Sequence, residues 1–388
     1  MALLDRFVAE ARAIRHDVHK HPELGFEEKR TQQVVIDWLK RHGYSPRQMA
    51  ETGVVADLHP DRVGRGPTIA LRADLDALPI QENTPLPYKS IHPGVSHKCG
   101  HDGHTSILLA TSAALAQQKA EVPGNVRLVF QPAEEGVRGG GARVMIAEGV
   151  LEGVDEIYGL HNWPPFPKGC IRAAAGATMA EVTTLEIEIR GKGGHASQPH
   201  HVRDPVVAGA QFVTAAQTVV SRGLSVHQPA VLSLSTFHAG TTHNVIPSRA
   251  ELTGTIRTFS SEVTGIVTER LQSLGSQIGR AMGVEIEVRL IPHYPVLMSH
   301  ESCVAAVRRV AERVVGPEQL SSDQVPITGG EDFAFYTREI PGAYFFLGAG
   351  QPDGETPGCH HPDFDFDDEL IPLGLQMFLG LVQDRLSS

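Results

Sequence analysis

Cysteine is scarce in this chain: four in 388 residues, at 99, 170, 303 and 359, with no CxxC pair. So few over such a length cannot build a disulfide framework, and a reducing compartment suits them. Long apolar runs are missing too. No stretch approaches the roughly 18 uncharged apolar residues of a membrane span. There is no basic excess: Lys and Arg number 34 against 45 Asp and Glu, a net charge of −11. That balance argues against a nucleic-acid partner or an anionic membrane, both of which attract a basic surface. The first residues, MALLDRFVAEARAIRHD, reach Asp5 and Arg6 before any secretory h-region can form, so a cytoplasmic protein is expected. The strings GxSxG and HExxH are absent, which disfavours a serine-hydrolase elbow and excludes a zincin helix. Internal repeats and low-complexity segments are also absent.

What is present is an ordinary globular balance, 41% hydrophobic and 20% charged. The length allows two or three domains at about 150 residues each. Helical spacing of Leu3, Leu4, Phe7, Val8, Ala11, Ile14 and Val18 predicts a first helix, which HPE (21–23) ends. A second is expected from Glu28 to His42. Short strands are predicted at 53–58, 68–73, 125–130 and 156–161, with helices near 105–118 and 141–149. Strands alternating with helices point to an α/β layered domain with a largely parallel sheet. Near residue 180 the style changes. Strands at 183–190, 231–237, 250–258 and 284–291, with helices near 204–221 and 261–281, give the β-α-β-β-α-β order of a ferredoxin-like unit. The expected organisation is a catalytic domain of residues 1–179 and 293–388, interrupted by an α+β domain of residues 180–292.

The densest chemistry lies in CGHDGH (99–104), where Cys99, His101, Asp102 and His104 share six positions. Thiolate, imidazole and carboxylate together suit a borderline divalent ion. Further ligands are expected near the carboxyl ends of strands, where α/β sheets collect binding groups. FQPAEEG (130–136) supplies Glu134 and Glu135, GLHNWP (159–164) supplies His161, and CHHPDFDFDDE (359–369) supplies His360 and His361. In an adjacent glutamate pair, one carboxylate can bind metal while the other acts as general base toward water. Asp102 is a candidate acceptor for orienting a ligand. Trp163, Phe166 and Phe335 are candidates for an apolar pocket or for plain packing. Gly191-x-Gly193-x-x-Ala196 fits a loose dinucleotide fingerprint, but Pro199 interrupts the helix that should follow.

Nine ordered motifs, among them HPELGFEE (21–28), RADLDALP (72–79), CGHDGH, FQPAEEG, GLHNWP, GKGGHAS (191–197) and GGEDFAFY (329–336), resemble the M20 metallopeptidase family. The likeness is to its amidohydrolase branch of hippurate hydrolases, N-acyl-amino-acid amidohydrolases and auxin-conjugate hydrolases. The resemblance implies a zinc-exopeptidase-like catalytic domain with a mixed, largely parallel sheet, plus an inserted lid and dimerisation domain. It implies two divalent ions (zinc, manganese, cobalt or nickel) held by Cys99, His101, Glu135, His161 and His360, with Cys99 as the bridging thiolate. His361 stands where relatives often carry Ser or Asn, so His360 is taken as the ligand. Glu134 is the implied general base and acid, and Asp76 the aspartate that supports the centre. His104 and Asp74 are expected to be supporting residues. His195 matches a histidine that stabilises the oxyanion, often in the partner subunit's site. Asn244 and Arg257 match contacts to the substrate carbonyl and carboxylate, and Gly329 and Gly330 allow close approach of substrate. The implied reaction is hydrolysis of N-acyl-L-amino acids to a carboxylic acid and an amino acid, by a homodimer or dimer-based tetramer. A dipeptidase or aminopeptidase of the same family is the alternative.

Overall fold

A computed structural model of the chain describes residues 2–351 and 356–387. The chain forms two compact units, Met1–Thr178 with Met298–Val325 and Asp332–Ser388, and Met179–Leu297 with Pro326–Glu331. The short return segment Pro326–Glu331 falls in the second unit, although it lies far past residue 293. Its backbone explains this: Ile327 bridges Met179, and the Ala180 N–H donates to Gly329 O at 2.9 Å.

In chain order the helices that matter are α1 (Ala2–Lys20), α2 (Lys29–Arg41), α3 (His101–Gln117), α4 (Pro205–Ser221), α5 (Ser261–Met282), α6 (Glu301–Val314) and α7 (Leu370–Leu386). The strands of the two main sheets are β1 (Arg47–Met49), β2 (Gly53–Asp57), β3 (Thr68–Asp74), β4 (Asn125–Gln131), β5 (Glu156–Pro167), β6 (Ile171–Arg172), β7 (Glu181–Arg190), β8 (Ala230–Ala239), β9 (Arg249–Thr258), β10 (Glu285–Pro292), β11 (Leu320–Ser321) and β12 (Gly342–Gly350).

The first unit holds an eight-stranded mixed sheet, ordered β1-β2-β4-β3-β5-β12-β6-β11. Its centre, β4-β3-β5-β12, is parallel; β2 and β6 run antiparallel to it, with β1 antiparallel to β2 and β11 parallel to β6. Every residue of β3 and β4 is buried, as expected of strands covered on both faces. One face packs on α1, α2, α3, α6 and α7 through Phe7, Trp38, Leu109, Val307 and Phe378. The short helices Gly141–Ala147 and Ala334–Glu339 touch the sheet through β4 and β12.

The second unit is a four-stranded antiparallel sheet, β8-β9-β7-β10, with α4 and α5 on one face. Leu185, Ile187 and Ile189 of β7 alternate inward and meet Phe212, Val267 and Leu271 of the helices. Asp204 caps α4 and Ser260 caps α5 by accepting backbone N–H groups, and Gly283 ends α5 in the left-handed conformation. Among the described residues, no helix is long and apolar enough to cross a membrane.

Candidate metal centre

CGHDGH is not the loop its polar composition suggests. His101 to His104 form the first turn of α3, and only Cys99 and Gly100 precede it. Gly100 has φ +98°, and a Cβ there would fall 2.1 Å from Asn162 Oδ1, so glycine is required on both counts. The turn throws Cys99 to the side of His161, whose Nε2 lies 3.4 Å from the sulfur. His161 is inside β5 rather than past its end. β3 pairs with β5 only as far as Arg72↔Gly159, however, so His161 lies beyond that ladder while β5 continues against β12.

Each imidazole is oriented through its other nitrogen. His161 Nδ1 donates to the Asn162 carbonyl at 2.5 Å, leaving Nε2 facing Cys99. His101 Nδ1 lies 2.9 Å from Asp76 O and 3.1 Å from Asp76 Oδ1. The second oxygen of Asp76 accepts the Glu135 N–H at 2.9 Å, so one carboxylate ties the histidine to the glutamate turn. Ala133 makes that turn at φ +52°, and its N–H donates to buried Glu28 at 2.8 Å. Burial, then the Asp76 charge, push the Glu28 carboxyl up to about 7. Nothing in the sequence separates Glu28 from the other surface-like glutamates of HPELGFEE.

The buried Nε2 of His101 makes no hydrogen bond among the described residues. Carboxylate oxygens of Asp74, Glu134 and Glu135 stand 3.8, 3.9 and 3.9 Å from it, too far for a hydrogen bond. On the other side of Glu135, its Oε1 is 3.2 Å from His360 Nε2. Ligand atoms of Cys99, His101 and His161 lie within 4.8 Å of one another, as do those of Cys99, Glu135 and His360, and of His101, Glu134 and Glu135. Bonds of about 2.0–2.3 Å in a tetrahedral site put ligand atoms about 3.3–3.7 Å apart, so these groups fit a divalent ion with small adjustments. Cys99 belongs to two of the three groups.

The electrostatics favour a cation. The Cys99 thiol is held well above its usual range by its hydrogen bond with Cys359 first, then by burial and the charge of Glu135. Burial opposes the charged form of His101, but Asp74, Asp76 and Glu135 outweigh it and hold its pKa well up. His161 is pushed well down by burial and by His104. A coordinated dication reverses the first two balances, because it ionises a thiol and takes the imidazole lone pair.

The remaining candidates separate cleanly. His104 engages Asp74 Oδ1 and Asn162 Oδ1, each at 2.7 Å, and Asp74 also accepts from Arg72. Asp102 does not orient a metal-facing histidine. It points the other way, to Arg15 at 3.1 Å and His19 at 2.9 Å on α1. His361 is exposed, and its Nδ1 accepts the Asp363 N–H. Phe166 is fully buried against Trp163 and Phe346 and serves packing.

In the second unit, His195 and Asn244 meet on a two-stranded ribbon: His195 pairs with Val245, and the Ala196 N–H donates to Asn244 O. His195 Nδ1 accepts the Ser197 N–H at 3.1 Å, which leaves the proton on Nε2 as a donor. Gly191 and Gly193 allow close backbone packing, with Arg203 O and Ile246 O where a Cβ would sit, and form no phosphate loop. Arg257, on β9 opposite Val182, has a buried Nη1 with no hydrogen bond among the described residues, and burial lowers its pKa. Gly330 packs on the same Val182, where a Cβ would approach to 2.1 Å.

Residues 70–384 match the family profile described as Peptidase family M20/M25/M40. The chain belongs to this peptidase family. An N-acetylcysteine deacetylase of Bacillus subtilis (strain 168) is 41% identical over 95% of this chain and 94% of its own. The hippurate hydrolase of Campylobacter jejuni is 36% identical, over 92% of each chain. A Bacillus subtilis crystal structure described as a dinuclear metal-binding M20 peptidase superposes with a TM-score of 0.85 at 36% identity, covering 99% of both chains.

Proposed function

We propose that this M20 protein is a binuclear metal-dependent amidohydrolase that cleaves N-acyl-L-amino acids, hippurate-like or N-acetylated, into a carboxylic acid and an amino acid. The observation that carries the reading is the shared thiol: Cys99 joins His101 and His161 in one ligand group and Glu135 and His360 in another. In this reading Cys99 would help hold both ions, with His101 and His161 toward one and Glu135 and His360 toward the other, and Glu134 stands beside them as the proton carrier. The similarity to an N-acetylcysteine deacetylase and a hippurate hydrolase supports an acyl-amino-acid substrate.

Bound divalent ions would acidify a coordinated water and polarise the scissile carbonyl. The protein's own groups do the rest. Glu134 removes the proton from the attacking water and returns it to the amide nitrogen, so that C–N cleavage releases a neutral amine. Asp76 holds His101 and the Glu135 turn in register through its two oxygens. His195, with its proton on Nε2, donates to the carbonyl oxygen as negative charge develops there, a contact worth roughly 3–4 kcal/mol in comparable sites. Arg257 offers a planar fork to the substrate carboxylate, and its unpaired Nη1 supports that role. Asn244 contacts the substrate carbonyl and Gly329 leaves room for its backbone, whereas the space beside Gly330 is taken by Val182.

The second unit serves as lid and dimerisation domain, in a cytoplasmic homodimer or a tetramer built from dimers. Its β8 edge is ten residues long and has no strand beyond it among the described residues, with Val231 and Phe237 about 40% exposed. An edge of that kind favours pairing with a second copy.

The test is a panel of N-acetyl-, N-benzoyl- and indoleacetyl-amino acids with dipeptide controls. It is assayed after chelation and again with zinc, manganese, cobalt or nickel restored. N-acyl substrates should turn over only with metal. Faster cleavage of dipeptides than of every N-acyl compound would move the protein to the dipeptidase reading.

A further inference from the structure

Lys98, the residue before Cys99, is completely buried. A buried lysine needs partners for its ammonium, and this one has two: Glu82 Oε1 and the Phe364 carbonyl, each at 2.7 Å. Its backbone is engaged as well, since the Lys98 carbonyl accepts the His360 N–H at 2.6 Å. One residue thus grips the 360–364 segment at both ends.

His360 is a residue that needs holding. It sits at φ +67°, a left-handed conformation unfavourable for a side chain with a Cβ. Its side chain is 52% exposed, so packing does little to fix a ring whose Nε2 meets Glu135. The other end of the clamp is rigid. Glu82 also accepts from His19 Nε2, the Thr84 hydroxyl and the Ser90 N–H. Lys98 therefore connects a fully engaged carboxylate to the strained turn that carries His360.

We propose that Lys98 is a positioning residue for His360: its buried ammonium and its carbonyl together hold the left-handed turn that aims His360 at Glu135, and so set the affinity of one of the two metal ions. The proposal rests on His360 being a ligand, and the experiment separates the two claims. The full-length protein is stripped with chelator and titrated with Co²⁺, following heat and the visible absorption of the bound ion. The wild type takes up two ions, and His360→Ala weakens one of them. Lys98→Met weakens that same ion by about 10–100-fold, leaves the other unchanged, and adds nothing in the His360→Ala background.

If His360→Ala keeps both ions at wild-type affinity, the ligand assignment fails and the proposal falls with it. If His360→Ala weakens one ion while Lys98→Met weakens neither, or weakens both alike, only the proposal falls. Effects that add in the double variant also overturn it. Because Lys98→Met leaves Glu82 with His19 as its one remaining cationic partner among the described residues, Lys98→Met/Glu82→Gln is tested beside it, since removing both halves of a buried pair is better tolerated than removing one. If neither variant folds, Lys98 serves the fold as a whole and the proposal is overturned.

Discussion

Glu134 and Glu135 share a peptide bond yet have different surroundings. Glu135 is fixed from two directions, by Asp76 at its backbone and by His360 at its carboxylate. Glu134 is buried with an oxygen 3.9 Å from His101 Nε2. The left-handed Ala133, held by Glu28, sets the turn that presents both. If Glu134 only carries a proton, its substitution should spare metal binding. Glu134→Gln is expected to lower kcat by at least about 100-fold while metal content and melting temperature stay at wild-type values. Metal analysis and steady-state kinetics on one preparation decide it; loss of metal together with activity would make Glu134 a ligand instead. The pair itself was legible in the sequence. Glu28 was not, because its meaning depends on Thr52 and Ala133, residues brought to it only by folding.

At the scale of elements, α1 and α3 are joined by charge as well as by apolar packing. Arg15 and His19, one helical turn apart, both address Asp102 at the start of α3. This explains why the start of α3 was misread from the sequence. The apolar pattern begins at 105, and the polar turn before it looks like a loop until its buried partners are known. The expected ends of β7, β9 and α5 fell within two residues of those observed, because their alternation and caps are local signals. The α1–α3 contact also predicts a pH dependence. Burial opposes the charged form of His19, but its bonds to Asp102 and Glu82 outweigh it and raise the pKa from 6.5 to about 9. A histidine raised on folding stabilises fully below its unfolded pKa and loses that contribution as pH rises through the folded one. Thermal unfolding of wild type and His19→Gln from pH 6 to 9.5 should therefore diverge most below 6.5 and converge toward 9. The limiting difference is on the order of 3 kcal/mol. A constant gap across that range would mean that His19 acts through shape alone.

For the molecule as a whole, the distribution of candidate groups between the two units sets a stricter test. Cys99, His101, Glu134, Glu135, His161 and His360 belong to the first unit, while His195, Asn244 and Arg257 belong to the second. The proposed reaction needs both sets, supplied either by one chain or by two. Mixing inactive variants distinguishes these cases. Suppose each site combines the first unit of one subunit with the second unit of its partner. A dimer of one Glu134→Ala and one His195→Ala subunit then has one site carrying both lesions and one carrying neither. Random reassortment makes half of the dimers mixed, so about a quarter of wild-type activity should return. If each chain completes its own site, every site in the mixture carries one lesion and no activity returns. The assay follows turnover after the two proteins are mixed under conditions where differently tagged subunits are shown to exchange. Recovery near one quarter would assign His195 to the partner's site, and exchange without recovery would assign it to its own.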